Sequence, residues 1–584
     1  MTTGFYLFLL SVQLPLINSG RAPAQTMFLK SLLRKKSATV AASDLGDGHG
    51  HGLSKVLTVR DLTFFGIAAI IGGGTFSAIG NACFSGGPAV ILLYVICAVA
   101  CGFTAMCYAE FAARVPVSGS AYTYAYVSFG ELFAWIIGWA LLMEYSIGNI
   151  YIAFSWSGYF TNLLDGFGVH LPEWLTINYR AAHAAFDSAA VGTEGYAAWS
   201  SAPQLGGLRI IFDMPGVLIN ILITWLVFIG TRESRNISNV MVIIKLAVVV
   251  LVIIVGFFYI DIENWTPFMP NGFGGVMAGV SAVFFAYIGF DAVSTLAEEA
   301  KNPQRDLPRG MIYSLVICTI AYILLALVLT GMVSYQQLGV SDPLAEIFAL
   351  KGVKWMLYIV SVAAVVAMTS VMLVFQMGQP RIWMTMSRDG LLPKRFSKIH
   401  PKYKTPGFAT IITGLVVGLP MFFTDENFIL DFTSIGTLFA FVLVCGGVLM
   451  LPSQKPGDPG SEPTKGKFRL PYINAKYIFP AIIIATFTFL AIQIPEFFKE
   501  TFNITADNAS HTIPMICFFV ITLVMTVLSF VKSLSLIPVL GLVSCCYLLT
   551  GMAGSNWLWF FIWFAIGLVV YFLYGRNHSL LAKK

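Results

Sequence analysis

The chain has 584 residues, of which 57% are hydrophobic and only 11% charged, with a formal net charge of +6 and a mean hydropathy of +0.79. Soluble domains carry about 25% charged residues, so a chain this poor in charge cannot clothe a water-facing surface of its size, and a soluble enzyme is excluded. The small net charge gives no case for nucleic acid, whereas 53 glycines and 48 phenylalanines suit a polytopic membrane protein.

At the N-terminus, Phe5 to Leu16 is a short apolar run with no basic residue before it. A secretory signal would want such a charge and would carry Lys30, Arg34, Lys35 and Lys36 outward, so residues 1–26 are read as a non-native or upstream-start extension, with Met27 as the expected start. His49 and His51 lie in a Gly-rich stretch, 46–52, and are read as flexible chain rather than a metal tail.

Apolar runs of about 18 residues or more predict helical spans, because the bilayer needs about 20 helical residues and leaves no backbone group unpaired. They fall near 63–83, 88–112, 131–160, 214–230, 237–260, 273–297, 310–332, 353–380, 407–424, 428–451, 477–498, 512–531, 536–552 and 556–575, about fourteen in all. The third and eighth are long enough to tilt or to extend beyond the membrane. The polar interruptions are a large loop, 161–213, and a Pro/Gly-rich linker, 452–468. Asn503 and Asn508 begin glycosylation sequons.

With the N-terminus placed in the cytoplasm, 29 Lys and Arg residues fall inside and five outside (Arg180, Arg209, Lys351, Lys354 and Lys499). This asymmetry predicts that both termini are cytoplasmic. One basic residue, Lys245, is left inside the fifth span.

All nine cysteines lie in or beside apolar runs, which reads as packing. No CxxC pair, HExxH helix or strand-borne GxSxG elbow is present, so no metal, cofactor or nucleophile is expected.

The chemistry is expected where polar groups or glycines interrupt the spans. Gly72, Gly73 and Gly74 stand consecutively in the first span. Each weakens a helix by about 1 kcal/mol relative to alanine, and an unwound centre would free amides for a carboxylate and carbonyls for an ammonium. Close packing of small residues is the competing reading. The sixth span carries Gly289 and Asp291 in mid-run, and a carboxylate there costs about 2.5–3.5 kcal/mol on insertion scales, so it should face a cavity or a partner. First and sixth spans are five apart, the offset of an inverted five-helix repeat. Lys245 carries the same insertion cost. Three readings stand at this point: a group that takes up and releases a proton, a snorkelling lysine, and a fixed ion-pair member. Glu144, near the middle of the third span, would pair with Lys245 or meet a substrate cation. Glu110 and Glu131 lie near span ends and are read as interfacial, and Asp431 opens the tenth span, where an outer gate or a simple helix-terminal acid would serve.

The runs GIAAIIGGGTF, FFAYIGFDAVSTLAEEAKNPQRDLPRG (284–310), RIWMTMSRDGLLP (381–393), SIGTLFAFVLV (434–444) and YFLYGRNHS (571–579) resemble the amino acid–polyamine–organocation superfamily, and within it the cationic amino acid transporter family and its bacterial relatives. The match runs from about 55 to 579. The resemblance implies an all-α five-plus-five inverted-repeat fold with broken first and sixth helices, alternating access and, as in the bacterial relatives, proton coupling. It implies that the substrate carboxylate meets the amides of Gly72, Gly73 and Gly74. The α-ammonium would meet carbonyls of Ile70, Phe285, Ala286 and Ile288. Asp291 matches the sixth-span acid, Glu144 the third-span acid, and Lys245 the fifth-span lysine that takes a sodium-site position in sodium-coupled cousins. Two departures stand out. Gly73 fills a place where the family usually has a hydroxyl residue, with Thr75 coming just after, and two additional C-terminal spans make fourteen rather than twelve.

The reading is therefore a proton-coupled permease that takes up an amino acid across the cytoplasmic membrane; an exchanger or a substrate sensor is the alternative, and an ion channel is disfavoured because no filter repeat or ring of like charge is visible. Its expected layout is a cytoplasmic N-terminal segment (1–62), a ten-helix transport core (63–451), a cytoplasmic linker (452–476), four further helices (477–575) and a cytoplasmic tail (576–584). The expected partners are the amino acid, the proton and membrane lipid.

Overall fold

The computed structural model describes residues 32, 34–36, 55–451, 468–493 and 509–582, apart from positions 116, 118, 189, 191, 341, 425 and 553. The 1–26 extension, His49, His51, nearly all of the 452–468 linker, both sequon asparagines and the side chain of Asp431 lie outside the described residues.

The chain is helical almost throughout. The first span is α1 (Val59–Ile70), a π-helical turn (Gly74–Ala78) and α2 (Ile79–Gly86), followed by α3 (Val90–Arg114), a short α4 (Ala121–Ser128) and α5 (Glu131–Gly166). Then come α6 (Tyr179–Asp187), α7 (Glu194–Ser201), α8 (Met214–Ile229), α9 (Thr231–Phe257), α10 (Gly272–Ala278), α11 (Val280–Phe285), a 3-10 helix (Phe290–Glu299) and α12 (Pro303–Met332). The remainder is α13 (Pro343–Leu350), α14 (Lys354–Arg388), α15 (Gly407–Gly418), α16 (Glu426–Met450), α17 (Ala475–Gln493), α18 (Ala509–Lys532), α19 (Leu536–Leu549) and α20 (Gly554–Val570). Among the described residues nine helices are long and apolar enough to cross a membrane, and four more, including α8 and α19, are apolar but shorter. This is a polytopic membrane protein.

The start of α1 follows from local chemistry. Thr58 and Asp61 form a capping box, with the Thr58 amide donating to Asp61 Oδ2 at 2.9 Å, which satisfies donors that a helix start otherwise leaves orphaned. At 36 and 35 residues, α5 and α14 are about 50 Å long, well beyond a hydrocarbon core of about 30 Å, as their run lengths predict. They pack along each other at the centre, and α5 also supports α16. In its most apolar window α5 is 83% buried and the sixth span entirely so, whereas α18 is 17% buried and faces outward. The fifth span, α9, shows its position in its stripes: Val242, Lys245, Val249 and Val252 are buried while Val240, Ile243, Val250 and Ile254 are exposed.

Two predicted loops are structured. The 161–213 interruption folds into the end of α5, then α6, α7 and a two-stranded hairpin (Gln204–Leu205 with Leu208–Arg209) around a small core of Ala182, Ala198, Ala202 and Ile211. At the opposite, lysine- and arginine-rich end, α14 runs on to Arg388, so Arg381, counted from sequence as a loop cation, is buried. Its Nε and Nη2 donate to Glu299 Oε1 at 2.8 and 2.5 Å. Arg388 reaches Glu298 at 3.2 Å, and Lys36 reaches Asp389 at 2.7 Å beside the Tyr122 hydroxyl.

Glu110 and Glu131 are not interfacial either. Both are fully buried, Glu110 against the segment at Leu470 and Glu131 against the C-terminal end of the chain at Tyr571 and Ser579. Glu110 accepts from the Leu470 amide at 2.7 Å and pairs with Arg114. Glu131 accepts three hydroxyls, from Tyr126 (3.1 Å), Tyr571 (3.0 Å) and Ser579 (2.5 Å). Above it, Trp135 donates to Gly567 O, and the Trp139 and Trp563 indoles donate to each other's carbonyls, fastening α20 to α5.

Candidate functional site

The first span breaks where the glycines stand. The chain leaves α1 at Ile71 in extended geometry (φ −80°, ψ 102°) and turns back into helix after Gly72, whose carbonyl receives the amides of Thr75 (2.9 Å) and Phe76 (3.0 Å). The restart leaves its first amides, those of Gly73 and Gly74, without intrahelical acceptors, as at any helix start. The break and close packing, posed as alternatives by the sequence, occur together. A methyl on Gly72 would fall on Val371 of α14, one on Gly73 would meet Ile152 Cδ1 at 2.6 Å and Tyr151 at 3.0 Å on α5, and one on Gly74 would fall on the backbone of Ala286.

The sixth span breaks opposite. After α11 the chain turns through Ala286–Gly289, and Gly289 adopts φ +117°, in the left-handed region that glycine favours. A Cβ there would also meet Ala69 Cβ at 2.6 Å, so the two breaks lie against each other. Tyr322 of α12 joins them. Its hydroxyl lies 2.9 Å from Ile70 O and 2.8 Å from Ala286 O, and it accepts from the Thr75 hydroxyl at 3.0 Å. Two of the four carbonyls expected to face an ammonium thus already share a hydroxyl, and Thr75 is spent on structure. Phe285 O accepts the Ile288 amide at 3.2 Å.

Lys245 is fully buried, so the snorkelling alternative fails. Nor does it pair with Glu144. Its ammonium donates to Ala68 O (2.9 Å), Ile71 O (2.7 Å) and Ser370 Oγ (2.9 Å). An ammonium has three protons and no lone pair, so every donor is used, on neutral acceptors at the C-terminal end of α1 and on α14. That end carries the negative pole of the helix dipole, which a cation favours.

Neither acid is among the acceptors that this lysine uses. Asp291 is fully buried at the start of the 3-10 helix. Its Oδ2 accepts from the Tyr145 hydroxyl at 3.3 Å, and Oδ1 has no hydrogen-bond partner. Glu144, next to Tyr145 on α5, is fully buried with neither oxygen hydrogen-bonded, and Thr437 of α16 is among its polar neighbours. Sequence reasoning missed Tyr322, Ser370, Tyr145 and Asn149. Asn149, a mid-span amide five residues after Glu144, gave a signal of the same kind as the acids; the two tyrosines and the serine are ordinary in a span.

A Gly74→Ala variant should express and insert but transport nothing, because its methyl can be seated only by displacing the sixth-span backbone, at a cost of about 1–3 kcal/mol. Vesicle uptake alongside a melting curve would check this, with Gly73→Ala, whose methyl meets the Ile152 side-chain tip first and then the Tyr151 ring rather than backbone, as the milder comparison.

A family model described as amino acid permease matches residues 57–508, and one for the C-terminus of such permeases matches 534–579. The chain is 37% identical to the branched-chain amino acid permease BcaP of Bacillus subtilis (strain 168), over 94% of this chain and 98% of that one. It is 36% identical to the methylthioribose transporter of the same organism, over 95% and 100%, and 30% identical to the vacuolar cationic amino acid transporter 2 of Arabidopsis thaliana, over 95% and 94%.

Proposed function

The chain belongs to the amino acid permease family of the amino acid–polyamine–organocation superfamily, and from that membership we propose that it carries an amino acid through the membrane by alternating access with a proton as coupling ion. The paired breaks support a five-plus-five inverted repeat over 63–451, in which the first and sixth spans are counterparts, with the helices after 477 as additions that make fourteen. In this reading the amides of Gly72, Gly73 and Gly74 hold the carboxylate, and carbonyls of Ile70, Phe285, Ala286 and Ile288 hold the ammonium. Ile70 O and Ala286 O can serve while Tyr322 stays in place, since a carbonyl has two lone pairs. Glu144 and Asp291 complete the site. The basic end of the bundle faces the cytoplasm at the plasma membrane, with the ion pairs of Arg381 and Arg388 closing that side.

The observation that carries proton coupling is the hydrogen-bond count at Lys245, three protons on three acceptors. A neutral amine has two protons and a lone pair, so deprotonation leaves one of the three acceptors without a donor and facing the lone pair. Two of the three acceptors are carbonyls of the broken first span. The lysine's protonation is thereby tied to the geometry of the segment proposed to hold the carboxylate.

The relatives' names cover branched-chain and cationic amino acids and a thiosugar, so the family leaves the substrate open. Purified protein in liposomes should take up labelled amino acids, with accumulation driven by an inward proton gradient. Uptake indifferent to the gradient would leave exchange as the activity, and no uptake of any amino acid would overturn the reading.

A further inference from the structure

The described spans contain several amide side chains, and most are spent on structure. Asn220 donates to Gly414 O at 3.0 Å and accepts from Gln376 at 2.8 Å, and Gln379 donates to Ser146 at 2.6 Å. Asn149 differs. It is fully buried, and among the described buried amide side chains it is the one with neither its oxygen nor its nitrogen hydrogen-bonded. An unsatisfied buried polar atom costs about 1–3 kcal/mol, and this residue leaves two.

Its position on α5 says what those atoms face. Tyr145, four residues earlier, reaches Asp291, and Ile152, three residues later, packs where Gly73 leaves room for it. Residues at these spacings share one face of a helix, and the rise per residue sets Asn149 about 6 Å along the axis from the first and about 4.5 Å from the second. Gly148 beside it has no room for a side chain against Phe375 of α14, which also stacks on Tyr145. Asn149 thus stands between the amide end of the first-span break and the acid of the sixth span. Tyr151, one residue on from Ile150, closes the side toward Phe285 with ring centroids 4.7 Å apart.

We propose that Asn149 reads the side chain of the transported amino acid and selects side chains that carry a hydrogen-bonding group over aliphatic ones of the same shape. This rests on the reading of the first-span break as the carboxylate site: a substrate anchored there projects its side chain along this face of α5. A site built to hydrogen-bond a hydroxyl discriminates against the analogue that lacks it, because the site's own polar atoms are then left unpaired.

Threonine and valine have nearly the same shape and differ by a hydroxyl, so competition of each against labelled alanine in liposomes measures the selection directly. Wild-type protein should prefer threonine about tenfold, and Asn149→Leu should bring the ratio close to one, with valine competing as well as before or better. Asn149→Ser, which keeps a hydroxyl, should hold an intermediate ratio. If Asn149→Leu inserts but does not transport, the ratio is read in wild type and Asn149→Ser from thermal stabilisation by each amino acid. An unchanged ratio in the variants, or a wild type that prefers valine, overturns the role of Asn149 while leaving transport intact. A wild type that takes up no amino acid removes the transport reading itself.

Discussion

Lys245→Ala is expected to abolish acid-driven accumulation in liposomes while exchange of internal for external substrate continues at a reduced rate. The substitution removes the group that donates at once to Ala68 O, Ile71 O and Ser370 Oγ, and leaves a fully buried space in its place. Each orphaned acceptor costs about 1–3 kcal/mol, and about 1.4 kcal/mol is already a tenfold change in population, so the first-span break should lose its defined geometry as well as its titratable partner. Lys245→Met separates the two effects. It fills most of the volume with an unbranched chain but neither donates nor titrates, so it should recover melting temperature relative to alanine without recovering the response to the gradient. Accumulation that still follows the proton gradient in Lys245→Ala would end the coupling role of this residue.

The second large effect is expected near the C-terminal end of α14. Arg381→Met should lower the melting temperature by several degrees, because it leaves Glu299 as an uncompensated acid in a buried place. Removing one member of a buried pair typically costs about 3–5 kcal/mol. The double variant Arg381→Met with Glu299→Leu should recover most of that loss, since a buried ion pair replaced by apolar side chains is often neutral in stability. Its transport should not recover in step. Glu299 also receives the Val56 and Leu57 amides through its backbone, so the pair ties the segment before α1 to α14 and sets how firmly that end stays shut. A double variant no more stable than the single one would show that the contact serves packing alone.

Much of this was legible in the residues. Lengths and hydropathy located the helical runs, because a lipid environment penalises any unpaired backbone and so makes the pattern coarse and strong. The break at Gly72–Gly74 and the interruption at Gly289 were legible because glycine is costly in a helix and is kept where nothing larger fits. What stayed hidden was partnership across the bundle. Nothing in the chain order tells that Lys245 turns to carbonyls of α1 rather than to Glu144, since carbonyl acceptors have no sequence signature. Its stripe was readable, however: Val242, Lys245, Val249 and Val252 recur at helical spacing, and a lysine on the inward stripe of an otherwise exposed helix has no route to water. Arg381 was misplaced because a helix that outruns the bilayer keeps its regular geometry past the last apolar residue. Glu131 was misjudged because its partners come from helices that look like appendages.

That last arrangement bears on the order of synthesis. Glu131 depends on hydroxyls that follow it by 440 and 448 positions, at Tyr571 and Ser579. While the ribosome is still making the intervening helices, the third span holds an acid with one of its three hydroxyl partners, Tyr126, in place and the other two still unmade, and the tryptophan contacts of α20 are missing too. The central helix of the bundle is therefore among the first to be inserted and among the last to be finished, and translation that stops short of Ser579 leaves its most buried end open.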